Sequence, residues 1–403
     1  MFEAMRLSLC MIVRDEEATL RHCLDSVRSV VDEIIVVDTG SRDRTIAIAK
    51  DCNASVYSFT WCDDFAAARN ESLKYAQGDW VLVLDADEVL VPESVPALQQ
   101  AMQLDDAIAI ALLREEVGTH HPDSQLSRVF RRHPAIAFTR PYHELIDDSV
   151  TQLLQQEPHW RVVALPDIAI RHTGYQAASI DQRHKVDRAR TIMERYHTAH
   201  PDDAYICSKL GALYVDLGDR VRGLALLQKG LETATEATVL YELHYHLGSF
   251  YGQQQQLDLA ARHYEAAIAQ PLPQRVQLGA YNNWGNVLKD QGDFVRAKAL
   301  YETTIAINPT FAVGYYNLGL TLKAMGQLQA AIGQYQRAIQ LQPSYAEAYQ
   351  NLGVALLKGG NVAASLKAFQ QAIALYKQQE APEADHLRDT LQQMGLLSAV
   401  AED

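Results

Sequence analysis

The chain has few cysteines, no excess of positive charge and no long apolar run. Its five cysteines in 403 residues (Cys10, Cys23, Cys52, Cys62, Cys207) are odd in number and show no metal-ligand spacing. Reduced thiols are therefore expected, not a disulfide framework or a zinc site. A formal net charge of -14 argues against a general nucleic-acid binder. No window approaches the roughly 20 apolar residues that span a bilayer. The apolar stretch Leu7–Val13 runs directly into Arg14-Asp15-Glu16-Glu17, too short for a signal-peptide core with its cleavage site. A cytoplasmic protein without a transmembrane segment is expected. A glycine-rich loop of the kind that serves nucleotidyl transfer is also missing. What remains is an ordinary globular composition, 48% hydrophobic and 21% charged, long enough for two domains.

The two halves follow different periods. Up to about residue 175, short apolar runs alternate with helical stretches: strands at 7–13, 33–37, 55–59 and 80–84, helices at 18–31, 43–52 and 65–76. This pattern predicts an α/β fold with a largely parallel sheet, whose ligands sit at the carboxyl ends of the strands. There the run Trp80-Val81-Leu82-Val83-Leu84 ends in Asp85-Ala86-Asp87-Glu88. Paired carboxylates at such a strand end suit Mg²⁺ or Mn²⁺ clamped on a diphosphate.

From residue 204 a repeat takes over. Leu210-Gly211, Leu247-Gly248, Trp284-Gly285, Leu318-Gly319 and Leu352-Gly353 recur at intervals of 37, 37, 34 and 34. Gly223, Ala260, Ala297, Ala331 and Ser365 keep the same step, as do Leu227, Tyr264, Tyr301, Tyr335 and Phe369. The pattern resembles the tetratricopeptide repeat, a helix–turn–helix unit of about 34 residues. The small residues allow close helix crossing, and the large ones are expected to fill the gap between units. The expected organisation is 1–175 for the α/β domain and 176–203 for a connecting helix or half-repeat. Five repeats follow over 204–379, then a capping helix and tail over 380–403.

The first 90 residues resemble the family 2 glycosyltransferases, inverting enzymes of the GT-A fold. Four segments in the family's order carry the likeness: Met11-Ile12-Val13-Arg14-Asp15-Glu16-Glu17, Val36-Val37-Asp38-Thr39-Gly40-Ser41, Ala68-Arg69-Asn70 and Leu84-Asp85-Ala86-Asp87-Glu88. The similar subgroup couples this domain to tetratricopeptide repeats and includes peptide S-glycosyltransferases. The resemblance implies a nucleotide-sugar donor, UDP-linked, and Mn²⁺ or Mg²⁺. It sets Val13, Arg14 and Glu16 beside the base and ribose, with Asp38 accepting a hydrogen bond from the base. Gly40 and Ser41 shape the adjoining turn, and Asp64 faces the base. Arg69 contacts an anion. Asp85 with Ala86 binds ribose and metal-bound water, and Asp87 binds the metal. Many members carry an aromatic at the position of Arg14 and Asn at that of Asp15.

Past residue 110, Arg128 and Arg131 share a face if their segment is helical, whereas Arg128 and Arg132 do so if it is a strand. Arg128 and Arg131 are candidates for holding phosphate. An inverting transfer needs a base beside the acceptor. Glu144 is the first candidate, Asp147 and Asp148 are reserves, and His143 orients Glu144 or touches the acceptor. His172, in Arg171-His172-Thr173-Gly174-Tyr175, completes the metal shell with Asp85 and Asp87. Asn283, Asn317 and Asn351, each 34 residues apart, resemble the asparagine ladder of O-linked N-acetylglucosamine transferases and are expected to hold a peptide backbone. The reading is a metal-dependent inverting glycosyltransferase acting on a peptide or protein. Glycan or lipid glycosylation, with repeats for assembly, and a non-catalytic repeat scaffold are the alternatives.

Overall fold

The computed structural model describes residues 5–117, 123–173 and 179–396. Gly174, Tyr175, the 175/176 boundary and residues 397–403 lie outside them. Two compact units divide the chain, 1–234 and 235–403. In the first, β1 (Leu7–Val13), α1 (Leu20–Val27), β2 (Glu33–Asp38), α2 (Thr45–Asp51), β3 (Ser55–Ser58), α3 (Phe65–Leu73) and β4 (Trp80–Val83) alternate. They are followed by β5 (Glu88–Leu90), α4 (Val95–Met102), β6 (Ala107–Glu116), β7 (Ser124–Arg131), α5 (Asp147–Gln156) and β8 (Arg161–His172). All eight strands form one sheet, ordered β3-β2-β1-β4-β7-β6-β8-β5.

β1 runs parallel to both its neighbours, β2 and β4. Apart from the buried Ser8, which donates to Glu33, it is apolar because both its faces are covered. Leu7, Leu9 and Met11 pack with Leu20, Leu24 and Val27 of α1, while Cys10 joins the opposite layer with Val81, Val83 and Phe130. The expectation of a largely parallel sheet needs correction on one side. β7 is antiparallel to β4 and to β6. Pairing Leu82 with Val129 carries Arg128 to the carboxyl end of β4, where the acidic segment begins.

The first unit also contains α6 (Ser179–Ala199) and the helix pair α7 (Ala204–Asp216) and α8 (Arg220–Thr233). The second holds the pairs α9 (Ala237–Gln253) with α10 (Leu257–Ile268) and α11 (Leu278–Asp290) with α12 (Phe294–Ile307). It continues through α13 (Ala312–Ala324) with α14 (Leu328–Leu341) and α15 (Ala346–Lys358) with α16 (Val362–Gln378), and ends on α17 (Glu383–Gln393). The capping helix expected within 380–403 runs over Glu383–Gln393. No helix among the described residues is long and apolar enough to cross a membrane.

The repeat's glycines and large residues meet inside each unit, which corrects the expectation that the large ones fill the gap between units. A Cβ on Gly285, Gly319 or Gly353 would lie 2.6 Å from the ring of Tyr301, Tyr335 or Phe369, the large residue of the same helix pair. Tyr301 and Tyr335 are fully buried, so neither ring has space to retreat into. Gly319→Ala should therefore destabilise the protein, because overpacking costs about 1–3 kcal/mol against the roughly 1 kcal/mol that alanine returns to a helix. Gly333, inside α14, has nothing within 4 Å of a built Cβ, so Gly333→Ala should stabilise by about 0.5–1 kcal/mol. Urea unfolding of the two variants checks whether one chemical change has opposite signs at the two positions.

Candidate active site

The first two loops above the sheet are laced together by their own side chains. The amide of Asp15 donates to Ser41 Oγ (3.0 Å), that of Arg42 to Asp15 Oδ1 (2.7 Å) and that of Glu16 to Thr45 Oγ1 (2.7 Å). Ser41 is thus a strut between loops. Gly40 takes φ 109°, which a side chain disfavours. Asp38, 4% exposed, accepts from the amides of Gly40 (3.0 Å) and Ser41 (3.2 Å). These bonds close the turn without exhausting the carboxylate's acceptor capacity. Val13 ends β1 with its carbonyl accepting from Thr39, and Arg14 is exposed. Glu16 is half-buried. Burial raises its carboxyl pKa, Thr19 lowers it by donating a hydrogen bond, and Asp87 and Asp85 raise it again, which places Glu16 on the rim of the acidic site. Asp64, expected to face the base, caps α3 by accepting from the Ala67 amide (2.8 Å).

Beneath that rim runs a continuous ribbon of alternating charge. Glu144 Oε1 accepts from Arg69 Nε at 2.7 Å, and Arg69 Nη2 pairs with Asp85 Oδ1. Asp85 Oδ2 accepts from Arg128 Nη2 at 2.9 Å, and that nitrogen also donates to Glu88 Oε1 at 2.8 Å. Glu88 takes Arg114 Nη1 at 2.9 Å, and Arg114 Nη2 reaches Glu116 at 2.7 Å. Glu116 Oε2 lies 2.6 Å from His172 Nδ1, and His172 Nε2 lies 3.1 Å from Asp87 Oδ2. Glu88 is fully buried and its Oε2 also accepts from the Asp85 amide (2.9 Å). Burial would raise the Asp85 carboxyl, but Arg128 and Arg69 overrule it and hold it well below the usual range.

These contacts sort the expected residues. Both carboxylate oxygens of Asp85, expected to bind ribose and metal-bound water, are held by guanidinium groups, so Asp85 organises two arginines. Arg69, expected to contact an anion, is nearly fully buried and braces Asp85 and Glu144. Arg131, a candidate for holding phosphate, sits at the other end of β4, donating to the carbonyls of Ala107 (2.7 Å) and Leu104 (2.9 Å), with its guanidinium 4.8 Å over the Trp80 ring. Ala86 is buried between the two aspartates. His143 is exposed beside Glu144, with left-handed backbone at φ 55°. Sequence reasoning missed Arg114 and Glu116 and gave Glu88 no role. Their signal was Leu112-Leu113-Arg114-Glu115-Glu116, an apolar strand ending in charge just as β4 does.

Asp87 and His172 converge, and Glu116 fixes the imidazole through Nδ1, the support that metal-binding histidines commonly have. Asp87, then Glu116, hold the protonated imidazole, raising its pKa to about 10. Among the described residues no group of three or more His, Cys, Asp or Glu forms a ready-made metal shell. Two protein ligands suit a cation that takes its remaining ligands from phosphate and water. The donor set fits Mn²⁺ or Mg²⁺ at Asp87 and His172 once His172 gives up its Nε2 proton, because a ligating imidazole must be neutral there.

The asparagines expected to hold a peptide backbone make their bonds within the array. Each amide nitrogen donates to the preceding repeat: Asn283 to Tyr245 Oη (3.2 Å), Asn317 to Asn282 Oδ1 (2.9 Å) and Asn351 to Tyr316 Oη (3.1 Å). Lys323 Nζ also donates to Asn351 Oδ1 (2.6 Å), and Asn317 is 7% exposed. These asparagines clasp one repeat to the next.

Glu88→Gln should cost about 3–5 kcal/mol, because it strips a buried carboxylate from two guanidinium groups. Asp106→Asn, at the half-exposed Arg161 pair, should cost far less, because solvent screens that pair. Comparing the two by urea unfolding tests whether the ribbon is structural. Equal small losses would refute it.

Residues 8–163 match the family described as Glycosyl transferase family 2. Matches to tetratricopeptide repeats cover 241–270, 300–333, 321–360 and 346–378. A TPR repeat-containing protein of Synechococcus elongatus is 46% identical over 306 residues, covering 75% of this chain and 76% of that one. The SPbeta prophage-derived glycosyltransferase SunS of Bacillus subtilis is 26% identical over 203 residues, 48% of this chain and 45% of SunS. Among solved structures, YrrB, titled a TPR protein with an unusual peptide-binding site, aligns with a TM-score of 0.40 at 20% identity, covering 49% of this chain and 97% of YrrB. With these relatives and this α/β-plus-repeat architecture, the chain belongs to the family 2 glycosyltransferases that carry tetratricopeptide repeats, and it is a glycosyltransferase.

Proposed function

We propose that the protein is a metal-dependent, inverting transferase that moves a sugar from a UDP-linked donor to a peptide or protein acceptor. The observation that carries this reading is the convergence of Asp87 and His172, backed by Glu116, at the strand ends where the Asp38 turn also lies. Asp38 retains acceptor capacity for the N–H of a base. Val13, Arg14, Glu16 and the Gly40-Ser41 turn border the nucleoside. Mn²⁺ or Mg²⁺ held by Asp87 and His172 supplies the charge that stabilises a departing diphosphate.

On the acceptor side, Arg69 fixes Oε1 of Glu144 and leaves Oε2 to take a proton. The acceptor nucleophile attacks the anomeric carbon as Glu144 accepts its proton and the nucleoside diphosphate leaves. The peptide assignment rests on the likeness to repeat-bearing peptide transferases, not on the asparagines, which are engaged within the array.

Thermal unfolding against nucleoside diphosphates, with and without Mn²⁺, tests the donor side. A ligand specific to the folded state adds about 2.7 kcal/mol at 100 times its Kd. UDP with Mn²⁺ should raise the melting temperature of the wild type and not of Asp87→Ala. A shift that survives in the variant, or no shift with any nucleotide, would contradict the reading.

A further inference from the structure

The loop that carries Glu144 is held in an unfavourable shape from outside the sheet. Thr139 and Leu145 close it by mutual backbone hydrogen bonds of 2.9 and 3.4 Å. Within it Arg140 (φ 68°) and His143 (φ 55°) both adopt left-handed backbone, which residues with a Cβ take up only when their surroundings impose it. On the catalytic side the loop meets α3: the Phe65 amide donates to the Pro141 carbonyl (2.9 Å), and Tyr142 packs edge-on to Phe65 with centroids 5.4 Å apart.

On its other side the anchor is the first repeat. Arg140 donates through Nε to Asp203 Oδ2 (2.9 Å) and through Nη2 to Asp203 Oδ1 (3.3 Å), while Nη1 reaches Asp148 (2.6 Å). Its guanidinium lies 4.8 Å over the ring of Tyr205. Asp203 caps α7, accepting from the Ile206 amide (3.1 Å), and Tyr196 Oη of α6 donates to it (3.3 Å). Arg140 and Asp203 are mostly buried, so solvent screens this pair less than a surface pair. The fork is two-pronged and planar and fixes direction as well as distance.

We propose that Arg140 and Asp203 are positioning residues through which the first repeat sets the pose of the Glu144 carboxylate. The proposal rests on the reading of Glu144 as the base. The repeat array then begins as part of the catalytic unit: Asp203, the N-cap of α7, supplies the counter-charge that holds the acceptor-side loop, and a cut at 203/204 would part it from the helix whose Ile206 amide it caps.

Asp203→Asn in the full-length chain isolates the effect, because asparagine caps a helix as well as aspartate does but cannot neutralise Arg140. Two readouts apply: amide hydrogen exchange, and hydrolysis of UDP-glucose and UDP-N-acetylglucosamine with Mn²⁺ and water as acceptor. Exchange should rise at the Thr139, Leu145 and Phe65 amides and stay unchanged in the first turn of α7. The kcat should fall at least about tenfold with donor KM within about twofold, since small misplacement of a reacting group costs rate and not donor affinity. Glu144→Gln should abolish most turnover, and adding Asp203→Asn to it should cost little more. If Asp203→Asn leaves exchange and kcat unchanged while Glu144→Gln is inactive, the positioning role is overturned and the base stands. Undiminished kcat in Glu144→Gln overturns the base assignment and this proposal with it.

Discussion

Alternating charge over nine side chains is what the catalytic half is built around. Five carboxylates (Glu144, Asp85, Glu88, Glu116, Asp87) alternate with Arg69, Arg128, Arg114 and His172. Glu88 could not be buried completely without two guanidinium groups and a backbone amide to receive it. The antiparallel β7 brings Arg128 to the end of β4, and β6 beside it brings Arg114, so the two strands together meet that need. The ribbon also divides the work between the two aspartates. Asp85 is spent on arginines, and Asp87 is left with the one neutralisable partner, His172.

The arrangement is not fully satisfied. Among the described residues, Arg69 Nη1, Arg114 Nε and Arg128 Nε are buried without a protein hydrogen-bond partner. Each costs free energy in a dry interior. A site that holds carboxylates in fixed poses ahead of substrate carries such costs as part of its pre-organisation.

Much of this was legible in the sequence, and the illegible part has a physical reason. The strands at 7–13, 33–38 and 80–83 are largely buried, so they read as apolar runs broken only by Ser8 and by the carboxylates that bound β2, and the acidic segment ending β4 stands out against them. His172 could be paired with Asp87 because it too ends a strand. Arg114, Glu116 and Glu88 were missed or left without a role because charge at a strand end normally means solvent, and nothing local shows that three such ends meet. Asn283, Asn317 and Asn351 gave their register correctly but not their direction. Their partners, Tyr245, Asn282 and Tyr316, sit one position earlier in the preceding repeat, a relation that only the superhelix creates. Glycine spacing revealed close helix crossing, whereas the identity of the ring pressed on each glycine depended on which pairs share a unit.

Anomalous diffraction from crystals grown with Mn²⁺ and UDP tests the central claim most directly. The account predicts manganese on the Asp87 carboxylate and His172 Nε2, with Asp85 still held by Arg69 and Arg128. Manganese on Asp85 with either arginine displaced, or no anomalous peak at the end of β4, would contradict it.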